Sequence, residues 1–300
     1  MATIDGKPVT ITVDAACTGC GQCVKVCPCE YLELTDKRAA ERRDPALGCI
    51  TCAQCAAICP EEAIHVEAAG LVREDVFAFP GSRPASYDEL LRLLAGRRSI
   101  RRFRDQPVST EDVDKLLEAA QQAPAGLPPS NVRAVVVQGK AQVRDFAFDF
   151  LARVAKMGWL FSRWGVWLLR PGMSAREHRE MREKIAPLYR GLIAGWRQGQ
   201  DFMFYDAPLA LVFVCEGDSV DAAIAATYAM AAAETLGLGS CMIGTVVPML
   251  PMTGKEFRGR YGFPDYARHG IAVVFGYPQD KFRRAVRRRF AAVVRPAGKD

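Results

Sequence analysis

Cys17-Thr-Gly-Cys20-Gly-Gln-Cys23-Val-Lys-Val-Cys27-Pro28 and Cys49-Ile-Thr-Cys52-Ala-Gln-Cys55-Ala-Ala-Ile-Cys59-Pro60 are two copies of one spacing, C-x2-C-x2-C-x3-C-P, set 32 residues apart. Nine of the eleven cysteines lie between Cys17 and Cys59, and only Cys215 and Cys241 stand elsewhere. The opening residues MATIDGKPVT have no apolar stretch of the secretory kind, so a cytoplasmic chain is expected. In such a compartment dense cysteines argue for metal ligation rather than disulfides. Three closely spaced thiolates on a tight loop can reach three corners of a four-iron, four-sulfur cube, and the fourth corner needs a distant residue. Paired C-x2-C motifs also make zinc sites, which is the competing reading.

Up to about Glu67 the chain resembles a bacterial ferredoxin with two 4Fe-4S clusters, in which the fourth cysteine of each run ligates the other cluster. The resemblance implies Cys17, Cys20, Cys23 and Cys59 on one cluster, and Cys49, Cys52, Cys55 and Cys27 on the other. Cys29 falls outside the pattern and is read as a buried or accessory thiol, assigned to neither.

Three hundred residues, half apolar and a quarter charged, suffice for a large domain plus a small one and exclude disorder for most of the length. The 25 Gly and 18 Pro are near average usage and show no short period, against collagen-like or low-complexity classes. A net charge of +6, from 40 basic and 34 acidic residues, is modest. Nucleic acid is therefore not expected as a partner, and the clusters at Arg97 to Arg102 and Arg283 to Arg289 point to an acidic ligand or protein. The most apolar segments, 207–215 and 222–233, are bounded by acidic residues and too short for a membrane span.

The spacing divides the chain into a ferredoxin-like domain over 1–67, a linker over 68–85 with Gly70, Pro80, Gly81 and Pro84, and a second domain over 86–300. The second domain opens with a capping box, Ser86 and Glu89, before Leu90, Leu91, Leu93 and Leu94, with Gly96 to end the helix. A further helix is predicted from about Glu111, with Val113, Leu116, Leu117 and Ala120 on one face, and another from near Asp218. Strands are predicted at 134–137, 209–215 and 271–275. Few, widely spaced strands among long helical stretches argue for an α/β or α+β sheet domain. The alanine-rich run 222–233 suits a core or dimer-interface helix. Gly237-Leu-Gly-Ser-Cys-Met-Ile-Gly244 is not G-x-G-x-x-G and gives no dinucleotide fingerprint.

From about Ser86 onward the chain is similar to the nitroreductase superfamily of FMN enzymes. The residues carrying this are Arg97-Arg98-Ser99-Ile100-Arg101-Arg102-Phe103, Pro107-Val108, Ala123-Pro124, Asp206-Ala207-Pro208, Gly237-Leu238-Gly239 and Gly276-Tyr277-Pro278. With the N-terminal repeat, the whole resembles ferredoxin-fused nitroreductases. The fold implied is α+β: a small ferredoxin-like domain followed by a nitroreductase-like FMN domain, homodimeric.

The resemblance implies that Arg97, Arg98 and Ser99 hold the FMN phosphate and ribityl chain and that Arg101 lies near the flavin ring; arginine forks suit a phosphate. Lys281-Phe282-x-Arg284-x3-Arg288 resembles a second phosphate clamp, through Arg284 and Arg288, whereas Arg283, Arg287 and Arg289 read as a solvated tail. Met242, Ile243 and Gly244 stand where the family's backbone meets the flavin edge, with core packing as the plainer reading of the first two. After Pro124 the chain departs from the family, since Pro128 and Ser130 replace the usual Asn and Gln. Backbone contacts are then all that is expected of Pro124, Ala125 and Gly126.

All four tryptophans, Trp159, Trp164, Trp167 and Trp196, fall in one excursion that reads either as a lid over the flavin or as local core. The leading expectation is an enzyme in which the clusters feed FMN and FMN reduces a nitroaromatic or other conjugated small molecule. A low-potential ferredoxin or flavodoxin would be the donor. The rival class is a non-catalytic carrier relaying electrons to a partner protein, which would need no covered pocket. No catalytic side chain stands out; His65 lies in the ferredoxin-like domain, and His178 and His269 read as surface or structural residues.

Overall fold

Alternation of apolar and polar residues in Val-Thr-Ile-Thr-Val and Ile-His-Val-Glu-Ala makes two strands that bury one face each. In the computed structural model, which describes residues 3, 6–45, 47–78, 85–126, 130–217 and 220–295, these are β1 (Val9–Val13) and β4 (Ile64–Ala68), paired antiparallel from Val9 opposite Ala68 to Val13 opposite Ile64. The chain divides into two units, Met1–Pro84 with Pro124–Asn131, and Ala85–Ala123 with Val132–Asp300.

In the first unit, β1 is followed by the short helix α1 (Gln22–Val26), the hairpin β2 (Leu32–Thr35) and β3 (Arg38–Glu41), the short helix α2 (Gln54–Ala57), and β4. The hairpin turns on Asp36 and Lys37, both at positive φ, as a two-residue loop between twisted strands demands. The sequence repeat is also a backbone repeat. Positive φ recurs at Gly19 and Thr51, Gly21 and Ala53, and Glu30 and Glu62, each pair 32 apart. Thr51 is β-branched, so its left-handed φ of 55° is strained and must be held by its surroundings. At Gly19 a side chain is excluded outright, since a Cβ would lie 2.1 Å from the Lys37 carbonyl oxygen.

The stretch after β4 is more than the linker expected over 68–85. Leu71 closes a turn on Ala68, a single 3-10 turn covers Arg73–Asp75, and Leu71 and Val76 pack on the core of Val9, Tyr31, Leu32, Ile64 and Val66. The two apolar side chains explain why 71–76 folds back; residues 79–84, including Pro80, Gly81 and Pro84, lie outside the described residues.

The second unit begins with α3 (Tyr87–Gly96), capped as its sequence predicts: Ser86 Oγ accepts from Glu89 N, and Glu89 Oε2 accepts from Ser86 N at 2.8 Å. Next come α4 (Thr110–Gln121), β5 (Arg133–Gln138) and α5 (Lys140–Lys156). The excursion that follows holds α6 (Arg163–Leu168), α7 (Ala175–Glu180), a π-helical turn at Met181–Ile185, and α8 (Ala186–Arg197). Then come β6 (Leu209–Cys215), α9 (Asp221–Thr235), β7 (Gly239–Ile243), α10 (Lys255–Arg260) and β8 (His269–Gly276). The helix expected near Asp218 thus begins at Asp221, Asp218 itself being outside the described residues.

The four strands form one antiparallel sheet in the order β5-β6-β8-β7. Every residue of β6 is buried, because the sheet is covered on both faces. Ala210, Val212 and Val214 join α5, α8 and an aromatic cluster of Phe146, Phe204 and Phe257. Leu209, Leu211 and Phe213 face α4 and α9. Strand β7 is absent from the sequence reading, since Gly-Ser-Cys carries little strand preference. It is an edge strand. The alanine run of α9 lets α4 and the sheet approach closely, and a Schellman cap ends it, Leu238 N donating to Ala233 O at 2.8 Å with Gly237 at φ 69°. Among the described residues no helix is long and apolar enough to cross a membrane.

Candidate functional site

In the first unit the eight cysteines of the two runs sort into two cavities, and the sorting crosses the repeat. Cys17, Cys20, Cys23 and Cys59 line one, and Cys27, Cys49, Cys52 and Cys55 line the other. The thiols stand around the wall of each cavity; among the described residues they do not converge on the single point that one metal ion would occupy. Backbone amides are aimed at the sulfurs in both copies. Tyr31 N donates to Cys27 Sγ at 3.4 Å and Ala63 N to Cys59 Sγ at 3.3 Å, residues 32 apart at both ends of the bond. Thr51 N donates to Cys49 Sγ at 3.3 Å, which accounts for the left-handed backbone there.

These amides and the burial set opposite pulls on the thiols. Amides of Ala39 and Gly19 hold Cys17 below the ordinary thiol range, whereas burial pushes Cys23 and Cys49 up and Cys55 up to about 12. A bound cluster would therefore have to displace protons from the buried members, and the amides would stabilise the thiolates. Two four-thiol walls with amide donors fit two 4Fe-4S clusters. Cys29, 4% exposed, lines the second cavity as a fifth thiol.

In the second unit the segment after α3 runs beside the free edge of β7. Ile100 N donates to Ser240 O at 3.0 Å, and Ser99 and Ser240 form a parallel bridge. Arg102 O accepts from Gln279 N, and Arg104 N donates to Tyr277 O, so both sides of this segment are pinned. Arg97, Ser99 and Arg101 thereby gather around the Cys241 side chain. Burial pushes that thiol up, while Arg101, Ser99 and Arg97 pull it back. Glu234, near the end of α9, is likewise pushed up by burial and pulled down by Arg97 and Arg98.

The two adjacent arginines do different work. Arg98 donates to three carbonyls, Arg97 O at 2.7 Å, Ala95 O at 3.0 Å and Arg284 O at 3.2 Å, and so ties the end of α3 to the C-terminal segment. Among the described residues, Arg97 Nη1 and Ser240 Oγ are buried with no hydrogen-bond partner. A buried guanidinium nitrogen and a hydroxyl without partners beside Ser99 are the donors a phosphate needs, so the residues present fit FMN.

The guanidinium of Arg101 lies 5.8 Å from the centre of the Tyr205 ring. Tyr205 and Asp206 both have positive φ, in a turn where the buried Asp201 carboxylate accepts from the amides of Met203, Phe204 and Asp206. Asp206 pairs with Arg144, and Pro208 packs where a Cβ on Gly276 would fall, 2.7 Å away. On β7, Met242 is 41% exposed while Ile243 is buried, and Gly244 is exposed at the strand's end.

Pro124, Ala125 and Gly126, expected at the flavin, belong to the first compact unit. Pro128 is outside the described residues. Arg284 accepts from Arg98 through its carbonyl, and Arg288 is exposed. Trp196 packs on the core, whereas Trp159, Trp164 and Trp167 are exposed, the last two meeting edge to face. His65 pairs with Asp14 at 3.4 Å. Ser240, Glu234, Asp201 and Tyr205 escaped the sequence reading; a small residue at 240 beside the Gly-Leu-Gly pattern was the only trace of the first.

Residues 94–277 match the nitroreductase family, and residues 10–60 match the 4Fe-4S dicluster domain. The FMN reductase (NAD(P)H) of Bacillus subtilis (strain 168) is 26% identical over 200 residues, 65% of this chain and 68% of that protein. A nitroreductase with bound FMN from Desulfitobacterium hafniense DCB-2 is similar at a TM-score of 0.50 and 25% identity, over 70% of this chain and 100% of the other. One from Bacteroides fragilis NCTC 9343 reaches 0.49 and 18% over 70% and 99%.

Proposed function

The chain belongs to the nitroreductase family and carries a 4Fe-4S dicluster domain before it, which makes it an iron-sulfur flavoprotein oxidoreductase, and we propose that its clusters feed electrons from a low-potential ferredoxin or flavodoxin to FMN for reduction of a nitroaromatic or other conjugated small molecule. The observation that carries this reading is the crossed sorting of eight thiols into two cavities in the same chain as an FMN-type phosphate site. Clusters move one electron at a time and FMN can hold two, so together they convert single-electron supply into two-electron reduction.

The protein's own part is to position and to screen. Arg97, Ser99 and Ser240 would supply donors for the phosphate, and Arg101 would supply positive charge beside the β7 edge. No acid or base side chain of this chain is needed, since solvent can supply protons to the reduced acceptor. Exposed apolar residues of α3, Tyr87, Leu90, Leu91 and Leu94, and of the C-terminal segment, Phe282, Val286 and Phe290, support a homodimer.

The test is anaerobic turnover with a panel of nitroaromatics and enones, comparing a reduced low-potential protein donor with NADH and NADPH, since the Bacillus relative is named for NAD(P)H. The donor should sustain turnover in the wild type and fail in a Cys20→Ser, Cys52→Ser double variant that keeps FMN. Equal turnover of both proteins with NADH or NADPH would remove the clusters from the entry path. Reduction without turnover of any small molecule would favour the carrier.

A further inference from the structure

The repeat is symmetric in its ligands and its backbone, but not two residues past the last cysteine of each run. Cys29 stands at that position in the first copy and Glu61 in the second. Because the runs cross, each looks into the cavity that holds its own copy's final cysteine. Cys29 lines the cavity of Cys27, Cys49, Cys52 and Cys55, and Glu61 lines that of Cys17, Cys20, Cys23 and Cys59. We propose that the two clusters are held at different reduction potentials, with the Cys27, Cys49, Cys52, Cys55 cluster the more oxidising, and that Cys29 and Glu61 set the step. This rests on the cluster reading above.

A cluster gains negative charge on reduction, so a hydrogen-bond donor beside it favours the reduced form and a carboxylate opposes it. Cys29 is buried, with its sulfur accepting from Ile50 N and lying close enough to Cys27, Cys49 and Cys52 to interact with them. Lining the cavity and buried, the Cys29 thiol would have its S–H available as a donor to a cluster held there. Glu61 is exposed, so its charge is screened and its effect is the smaller of the two. The other charges do not reverse this order. Arg38 and Asp14 act on Cys17 in opposite senses. Glu41 acts on Tyr31, which lines the second cavity, with burial disfavouring the Glu41 charged form.

The experiment is a redox titration of the full-length protein followed by electron paramagnetic resonance, with iron counted in the same samples. The wild type should carry about eight irons, as two four-iron clusters require, and show two resolved one-electron steps. Cys29→Ala should keep the iron and lower the more positive step by about tenfold in its equilibrium constant, about 59 mV for one electron, leaving the other unmoved. Cys29→Ser, which restores a donor, should recover part of that shift. Glu61→Gln should raise only the more negative step. One common potential in the wild type at full iron would overturn the proposal. So would equal movement of both steps in Cys29→Ala, no movement of either, or loss of half the iron, which would make Cys29 a ligand. A wild type without iron would instead overturn the cluster reading itself.

Discussion

Gly239 and Ile100 are in contact so close that a Cβ on the glycine would lie 2.4 Å from Ile100 Cγ1. The relationship fixes how near the Arg97–Phe103 segment runs to β7, since Ile100 N bonds to Ser240 O one residue along. Gly239→Ala should therefore push the segment outward and separate Arg97 and Ser99 from Ser240. Overpacking of this kind costs about 1–3 kcal/mol. The expected result is a lower melting temperature together with weaker FMN retention, read by flavin fluorescence on dilution. A variant that binds FMN as tightly as the wild type would show that the close approach serves packing alone.

Arg97 and Arg98 should separate in function although adjacent. Arg97→Ala removes the guanidinium with an unpartnered buried nitrogen, and a charged hydrogen bond is worth about 1.5–3 kcal/mol. FMN affinity should drop roughly 10- to 100-fold by that measure, while riboflavin, which lacks the phosphate, should bind as before. Arg98→Ala instead frees the carbonyls of Ala95, Arg97 and Arg284, so its first effect should be looser attachment of the C-terminal segment, seen as faster proteolysis there. Isothermal titration with both ligands distinguishes the two. Arg288→Ala, at an exposed residue, tests whether a second clamp forms only with FMN present or in a dimer.

Replacing Cys59 with Ser should damage the cluster of Cys17, Cys20 and Cys23, not that of the run in which Cys59 sits, because Cys59 lines the other run's cavity. Mössbauer or paramagnetic spectra of Cys59→Ser and Cys20→Ser should then match each other and differ from Cys52→Ser. Matching of Cys59→Ser to Cys52→Ser would assign the ligands without the crossing.

The sorting of the eight cysteines was legible because metal chemistry requires fixed residue types at fixed spacing, and the crossing was implied by the resemblance to two-cluster ferredoxins. Strands β5, β6 and β8 were legible from β-branched runs, and the Ser86–Glu89 cap from its pattern. What stayed hidden depends on tertiary neighbours. Strand β7 forms because β8 and the Arg97–Phe103 segment flank it, not because Gly-Ser-Cys prefers extension. Arg97 and Arg98 look alike in sequence, and only the carbonyls around Arg98 divide their roles. The 71–76 segment read as linker since Leu71 and Val76 are too few to show a period, yet two apolar contacts suffice to fold it back.

Asp201 couples the Tyr205–Asp206 turn to pH. Its carboxylate, 6% exposed, accepts from Phe204 N at 2.8 Å and from Met203 N and Asp206 N at 3.0 Å, and these bonds hold Tyr205 beneath Arg101. Burial outweighs the three amides and raises its pKa above the ordinary value of 3.8. A group with a raised folded pKa contributes stability that is fully present below the unfolded pKa and is lost as pH rises through the folded one. Asp201→Asn has the same shape and no charge, but it turns an NH2 toward the Asp206 amide, a penalty that does not vary with pH. The stability advantage of wild type over Asp201→Asn should therefore shrink as pH rises from about 4 toward 7. Urea unfolding of both proteins across that range, followed by near-ultraviolet circular dichroism, measures the difference. An advantage that grows with pH would mean that the amides, not burial, dominate the carboxylate.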